Sequence, residues 1–160
     1  MKRLIVMDTC FLHHIYEIKG NDAENKQAIK RLIEAKNRKD SFYVPTTVIF
    51  ELANHIAHIE DKEWRRQRAK KLAEDIQLSI KTSKPYTLVP CSEFSVLENL
   101  AKSLHEFATN YVEKDLSPID TSVFLEAQRL KKKFPKNHPV LVEIWTKEKA
   151  LNTLWQQNKL

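Results

Sequence analysis

Short, unbroken apolar runs alternate along this chain with longer stretches in which apolar residues recur every three or four positions. The sharpest run is Leu4-Ile5-Val6-Met7, which passes straight into Asp8 and Thr9. A run of this length without polar alternation predicts a strand buried on both faces, as in a parallel sheet. That strand is expected over residues 3–8. Phe42-Tyr43-Val44 before Pro45, Tyr86-Thr87-Leu88-Val89 before Pro90, and Val140 to Trp145 are expected as further strands. Helical spacing fills the intervals. A short helix is expected from Phe11 to Lys19, closed by Gly20, and a long one begins at Asn21 or Asp22 with Ala28, Ile29, Leu32, Ile33 and Ala35 on its apolar face. Thr46-Thr47 opens a helix with Ile49, Leu52, Ala53, Ile56 and Ile59 inward, and a polar helix follows over 61–82. Ser92 caps a helix running to Tyr111. Ser117-Pro118 starts another with Ile119, Val123, Ala127 and Leu130 buried, and a last helix spans Lys147 to Gln156. Strands alternating with helices predict an α/β fold: a three-layer α/β/α domain over residues 1–160, with a central parallel sheet of four to five strands.

Composition narrows the function classes. The one glycine, Gly20, rules out a glycine-rich phosphate loop and with it the P-loop and dinucleotide-binding readings. A net charge of +6 favours a polyanionic partner, nucleic acid first, with solubility as the plain alternative. Cys10 and Cys91 make no disulfide framework or zinc spacing, and Cys10 is expected as a small buried residue. The apolar run behind Met1-Lys2-Arg3 is too short for a signal segment or a membrane span, so a soluble cytoplasmic protein with no membrane partner is expected.

Four acids stand where strands end or the next helices begin: Asp8, Glu51, Asp120 and Glu148. In a parallel sheet the strand C-termini and the following helix N-termini share one edge, where ligands bind in open α/β folds. Each acid also has a plain role. Asp8 suits a helix cap, Glu51 a solvated helix position, Asp120 the capping box Ser117-x-x-Asp120, and Glu148 the helix dipole. Gathered together, they would repel one another unless a cation sat among them, and hard divalent ions take such oxygen ligands.

These segments carry a family resemblance. Ile5-Val6-Met7-Asp8-Thr9-Cys10-Phe11-Leu12 resembles the first strand of PIN-domain ribonucleases, an apolar run ending in Asp-Thr/Ser. Pro45-Thr46-Thr47-Val48-Ile49-Phe50-Glu51-Leu52 resembles the second motif, Leu116-Ser117-Pro118-Ile119-Asp120-Thr121-Ser122 the third, and Ile144-Trp145-Thr146-Lys147-Glu148-Lys149-Ala150-Leu151 the fourth, where Thr-x-Asp is usual and this chain has Glu148. The ordered set spans nearly the whole chain. It implies a metal-dependent endoribonuclease in which Asp8, Glu51 and Asp120 bind Mg²⁺ or Mn²⁺ with help from Glu148. Thr9 and Thr146 then orient carboxylates, and hydrolysis leaves a 5′-phosphate and a 3′-hydroxyl. The small stand-alone members it resembles are VapC-type toxins of toxin–antitoxin pairs, held inactive by a cognate antitoxin and usually homodimeric. The alternatives are a PIN-like module that binds RNA or a partner without cutting, and a nuclease subunit of a larger complex.

Two basic stretches are candidate RNA contacts: Arg65, Arg66 and Arg68 beside Trp64, and Lys131 and Lys132. A solvated helix face is the plain reading of both. His55 and His58 share a helical stripe with Glu51 but lack the order of a His-Glu zinc helix. Glu143, between apolar neighbours, either faces outward at a sheet edge or breaks the strand register.

Overall fold

Leu4, Ile5, Val6 and Met7 lie at the centre of the core, each at most 2% exposed. Full burial of such side chains stabilises the fold by about 1.5–3 kcal/mol each. The structure is a computed structural model that describes residues 2–18, 22–89, 93–134 and 140–158. These four residues form most of β1 (Lys2–Met7), which pairs in parallel with β2 (Ser41–Pro45) on one side and β4 (Val140–Trp145) on the other. β3 (Thr87–Val89) extends the sheet beyond β2, giving the order β3-β2-β1-β4. The helices are α1 (Thr9–Ile15), α2 (Asp22–Asn37), α3 (Thr46–Ala57), α4 (Lys62–Thr82), α5 (Glu93–Glu106), α6 (Pro118–Lys133) and α7 (Lys149–Gln157). With them the sheet makes the expected three-layer α/β/α architecture, its all-parallel sheet having four strands among the described residues. None of the described helices is long and apolar enough to cross a membrane.

Several boundaries and faces differ from the sequence expectation. α1 begins at Thr9 rather than Phe11, because Asp8 caps it. It also stops at Ile15 rather than near Lys19: Ile18 N donates to the His13 carbonyl and Glu17 N to the His14 carbonyl, with Glu17 left-handed at φ 54°. That is a Schellman stop built on a glutamate. Gly20, expected to make this stop, and Ser92, expected as a cap, lie outside the described residues. α3 buries Val48, Leu52 and Ile56, four residues apart, which turns Ala53 outward. On α2, Ile33 is exposed. α5 ends at Glu106, and a π-helical turn, Phe107–Tyr111, follows. The capping box at Ser117 and Asp120 forms as expected, with Pro118 as the first helical residue.

The chain leaves β1 towards β2 and later returns to β1's other side as β4. The topological switch therefore lies between the C-terminal ends of β1 and β4, where such sheets open a crevice.

Candidate functional site

Asp8 stands at that switch point. Its backbone N donates to the Trp145 carbonyl at 3.2 Å, tying the ends of β1 and β4 together. Asp8 is 3% exposed, and both of its side-chain oxygens accept hydrogen bonds. Oδ1 accepts from Thr9 N at 2.7 Å, while Oδ2 accepts from the Thr146 hydroxyl at 2.7 Å and the Cys10 thiol at 3.1 Å. All three donors are neutral. Burial is the largest influence on this carboxyl and raises its pKa. The bonds from Cys10, Thr146 and Thr9 pull it down, and the nearby charge of Asp120 adds to the rise.

Two of the other acids connect to Asp8 by different routes. The Thr9 hydroxyl donates to Glu51 Oε2, so a single residue ties Glu51 to Asp8. His55 Nε2 approaches the other Glu51 oxygen at 3.9 Å. Asp120, in the first turn of α6, lies near enough for its charge to act on Asp8. One of its oxygens accepts from Ser117 N at 2.9 Å, so the capping role is also real. Glu148 differs from expectation. It occupies the N-cap position of α7 rather than its first turn, and its side chain is exposed and makes no capping bond. The cause is local: Lys147 N donates to Cys10 Sγ at 2.9 Å and Glu148 N to Thr146 Oγ1 at 2.9 Å, which delays the helix to Lys149.

Thr9 hydrogen-bonds to both Asp8 and Glu51, and Thr146 to Asp8. Cys10 carries a contact that was not anticipated. It is half-buried, and its sulfur lies between Asp8 and Thr146, 3.4 Å from the threonine oxygen. Burial, followed by the charge of Asp8, pushes its thiol up to about 12, so it sits there as a neutral donor. The available signal was position: once Asp8 is the cap of α1, Cys10 is the second helical residue and faces back towards it.

The basic candidates divide. Arg68 lies inside the fold, paired with Glu17 and stacked 3.6 Å from the Trp64 ring centre. Trp64 Nε1 also donates to the Glu17 carbonyl at 3.3 Å, so this tryptophan packs locally. Lys131 donates to the Asn158 carbonyl, joining the end of α6 to the end of α7. Arg65 reaches the Ala57 carbonyl at 3.3 Å, Arg66 pairs with Glu63 on the surface, and Lys132 is exposed. Glu143 lies on the edge strand β4 with its side chain largely covered, bonded to Arg3 at 3.0 Å and to Trp145 Nε1 at 3.0 Å.

The donor set around Asp8 consists of carboxylate and hydroxyl oxygens plus one neutral thiol, which suits a hard divalent ion better than zinc. Among the described residues, no three His, Cys, Asp or Glu side chains stand close enough to make a protein cage for an ion. Mg²⁺ is commonly held by one or two carboxylates with water and substrate completing the shell. Asp8 with one neighbouring acid fits that mode. Compared with protein-family models and with curated proteins, the chain matches none.

Proposed function

We propose that this chain is a metal-dependent endoribonuclease of the PIN type and acts as the toxin of a toxin–antitoxin pair in the cytoplasm. The observation that carries the reading is Asp8: a buried carboxylate at the switch point of a parallel sheet, held by neutral donors, with Glu51 and Asp120 beside it. Asp8 with Glu51 or Asp120 would hold Mg²⁺ or Mn²⁺, water and substrate completing the shell, and Glu148 would assist through water. Such an ion would supply charge neutralisation at a scissile phosphate and would lower the pKa of a bound water so that hydroxide is available near neutral pH.

The chain's own residues supply the positioning. Thr146 and Cys10 fix one oxygen of Asp8, and Thr9 fixes the other while orienting Glu51. Such outer partners hold ligands in one geometry and strengthen binding. Glu148, exposed at the rim, is the acid best placed to exchange protons with water. Arg66 and Lys132 remain as surface cations for the RNA backbone; Arg65 is half-buried, Arg68 is paired with Glu17, and the exposed Lys131 is bonded to the Asn158 carbonyl. The antitoxin and a homodimer belong to the same proposal.

Incubation of a structured RNA with Mn²⁺ tests it. Wild type is expected to cleave, leaving 5′-phosphate ends, and Asp8→Asn is not. Metal-dependent cleavage that survives Asp8→Asn overturns the assigned site. The spread of the acids favours one second reading, a PIN-like module that binds RNA or a partner without cutting. RNA binding without turnover in any divalent metal would select it.

A further inference from the structure

Arg31 of α2 lies over the Trp145 ring, its guanidinium carbon 4.0 Å from the ring centre and 5.8 Å from that of Phe11. Trp145 is the last residue of β4, and its carbonyl holds the Asp8 backbone N. Side chains at alternate positions of a strand share a face, so Glu143 follows Trp145 on the same side of this edge strand. Arg3 bonds Glu143 at 3.0 Å, and the Arg3 backbone N shares Asp40 with Arg38. Arg31, Arg3 and Arg38 therefore form a series that starts beside the candidate site and runs towards the opposite end of the sheet. At a strand rise of ~3.3 Å per residue, Trp145 and Leu141, the ladder partner of Arg3, are ~13 Å apart.

The series carries positive charge in excess. Glu143 is already bonded by Arg3 and Trp145 Nε1, and Asp40 by Arg38 and the Arg3 backbone N. Arg31 is exposed, yet among the described residues no carboxylate pairs with it. Partial burial against the rings lowers its pKa; the charge of Glu143 opposes that fall, and those of Arg3 and Arg38 add to it. Three guanidiniums thus face two carboxylates that both have partners. An unpaired guanidinium takes a phosphate through two of its N–H groups. A lone anion satisfies Arg31 only, whereas a strand with phosphates at regular intervals reaches Arg3 and Arg38 as well. A phosphate at the Asp8 edge places its neighbours along β4. An acidic peptide could fill the same forks, but the acids of that edge repel it, whereas a metal ion held there draws the next phosphate. Resting on the nuclease reading above, we infer that Arg31, with Arg3 and Arg38 beyond it, is a track for the backbone phosphates of the RNA strand that enters the candidate site.

Salt dependence counts such contacts. A short fluorescein-labelled single-stranded RNA is titrated with the whole protein in EDTA, which prevents metal-dependent cleavage, over a series of KCl concentrations. Each phosphate neutralised on a single strand contributes ~0.7 to the slope of log affinity against log salt. Arg31→Gln is expected to lower the slope by about that amount, and Arg31→Gln with Arg38→Gln by about twice as much. Arg31→Lys keeps the charge and is expected to keep the slope while binding more weakly, because an ammonium lacks the fork. Lys81→Ala, which removes one exposed charge from the last turn of α4, is expected to leave the slope unchanged. If Arg31 serves only to cover Trp145, Arg31→Gln moves the melting temperature and not the slope, and the proposal is overturned. An equal fall in Lys81→Ala, or no RNA binding by wild type, overturns it too. So does a polyglutamate peptide that binds wild type more tightly than RNA of the same charge and loses that advantage in Arg31→Gln, which makes the surface a protein contact. The nuclease reading fails separately, through Asp8→Asn. A protein that shows the slope change but cuts nothing keeps the track and loses the nuclease.

Discussion

Two buried aspartates sit at opposite ends of the same parallel sheet. Asp40 precedes β2, and Asp8 follows β1. They are similarly secluded, at 9% and 3% exposed. Asp40 is matched from within the chain: Arg3 N donates to one oxygen at 3.1 Å, and the Arg38 guanidinium grips the other at 3.0–3.1 Å. Asp8 has only amide, hydroxyl and thiol donors. Among the described residues, none of Asp8, Glu51, Asp120 and Glu148 forms an ion pair with lysine or arginine. A buried charge without a counter-charge is costly. At one end the fold supplies the cation. At the other it builds the site for an anion and supplies none, which is the arrangement expected where the cation comes from solution.

The largest effect belongs to Asp8→Asn. It is expected to reduce metal-dependent RNA cleavage by more than the ~10–100-fold typical of an outer-shell partner. Mn²⁺ is expected to raise the melting temperature of wild type and not of the variant, because only the state that binds the ion is stabilised. A Mn²⁺ shift that persists in Asp8→Asn breaks the contrast. Next comes Thr146→Val, which removes the donor to Asp8 Oδ2 without touching the acid. Its Mn²⁺ affinity, read by titration calorimetry, is expected to fall ~10–100-fold.

Asp40 answers the opposite question. Asp40→Ala leaves Arg3 N without its acceptor and Arg38 without its partner, although Arg38, 40% exposed, can turn to water. A loss of about 2 kcal/mol in urea unfolding is expected, independent of divalent metal. Equal metal dependence in both aspartate variants would erase the distinction. The pH profile sharpens it. Burial holds Asp8 protonated to a higher pH than its ordinary 3.8. Between 3.8 and that raised value the folded chain binds more protons than the unfolded one, so this group makes metal-free stability fall as pH rises through the window. Asp8→Asn is expected to flatten that part of the slope; a difference between wild type and variant that grows in the other direction refutes the assignment.

Much of this was legible because it is local. The run Leu4 to Met7 is apolar at every position, and only a strand covered on both faces buries it. Ser117, Pro118 and Asp120 specify their capping box within four residues. Parallel topology led to the expectation that acids at the strand ends share one edge, and β1 and β4 do end side by side, with Thr146 bonded to Asp8. What escaped was long-range or conformational. The pairings of Arg3 with Asp40 and Glu143 join residues 37 and 140 positions apart, and no periodicity encodes them. Glu17 in a left-handed stop has no glycine to announce it, and Arg68 turned inward because Glu17 and Trp64 receive it. Cys10 looked like a small core residue because its neighbours are apolar; its thiol direction depends on where α1 begins.

Glu148 gives the smallest expected effect and the finest cut. It is the one acid of the four with an exposed side chain, and its backbone N donates to Thr146 Oγ1. Side chains free in solvent contribute little to stability, so Glu148→Gln is expected to leave the melting temperature within about a degree of wild type. If Glu148 reaches the ion only through water, its loss acts on proton exchange more than on binding. Mn²⁺ affinity is then expected to fall by less than the ~10-fold lower bound for an outer-shell partner, while the pH optimum of cleavage moves. Glu148→Asp shortens the side chain by one methylene and keeps the charge. Recovery of the wild-type pH profile by Glu148→Asp supports action through water. A Mn²⁺ affinity in Glu148→Gln as low as in Asp8→Asn would instead make Glu148 a direct ligand, and the contrast between buried and exposed acids at this edge would no longer divide their roles.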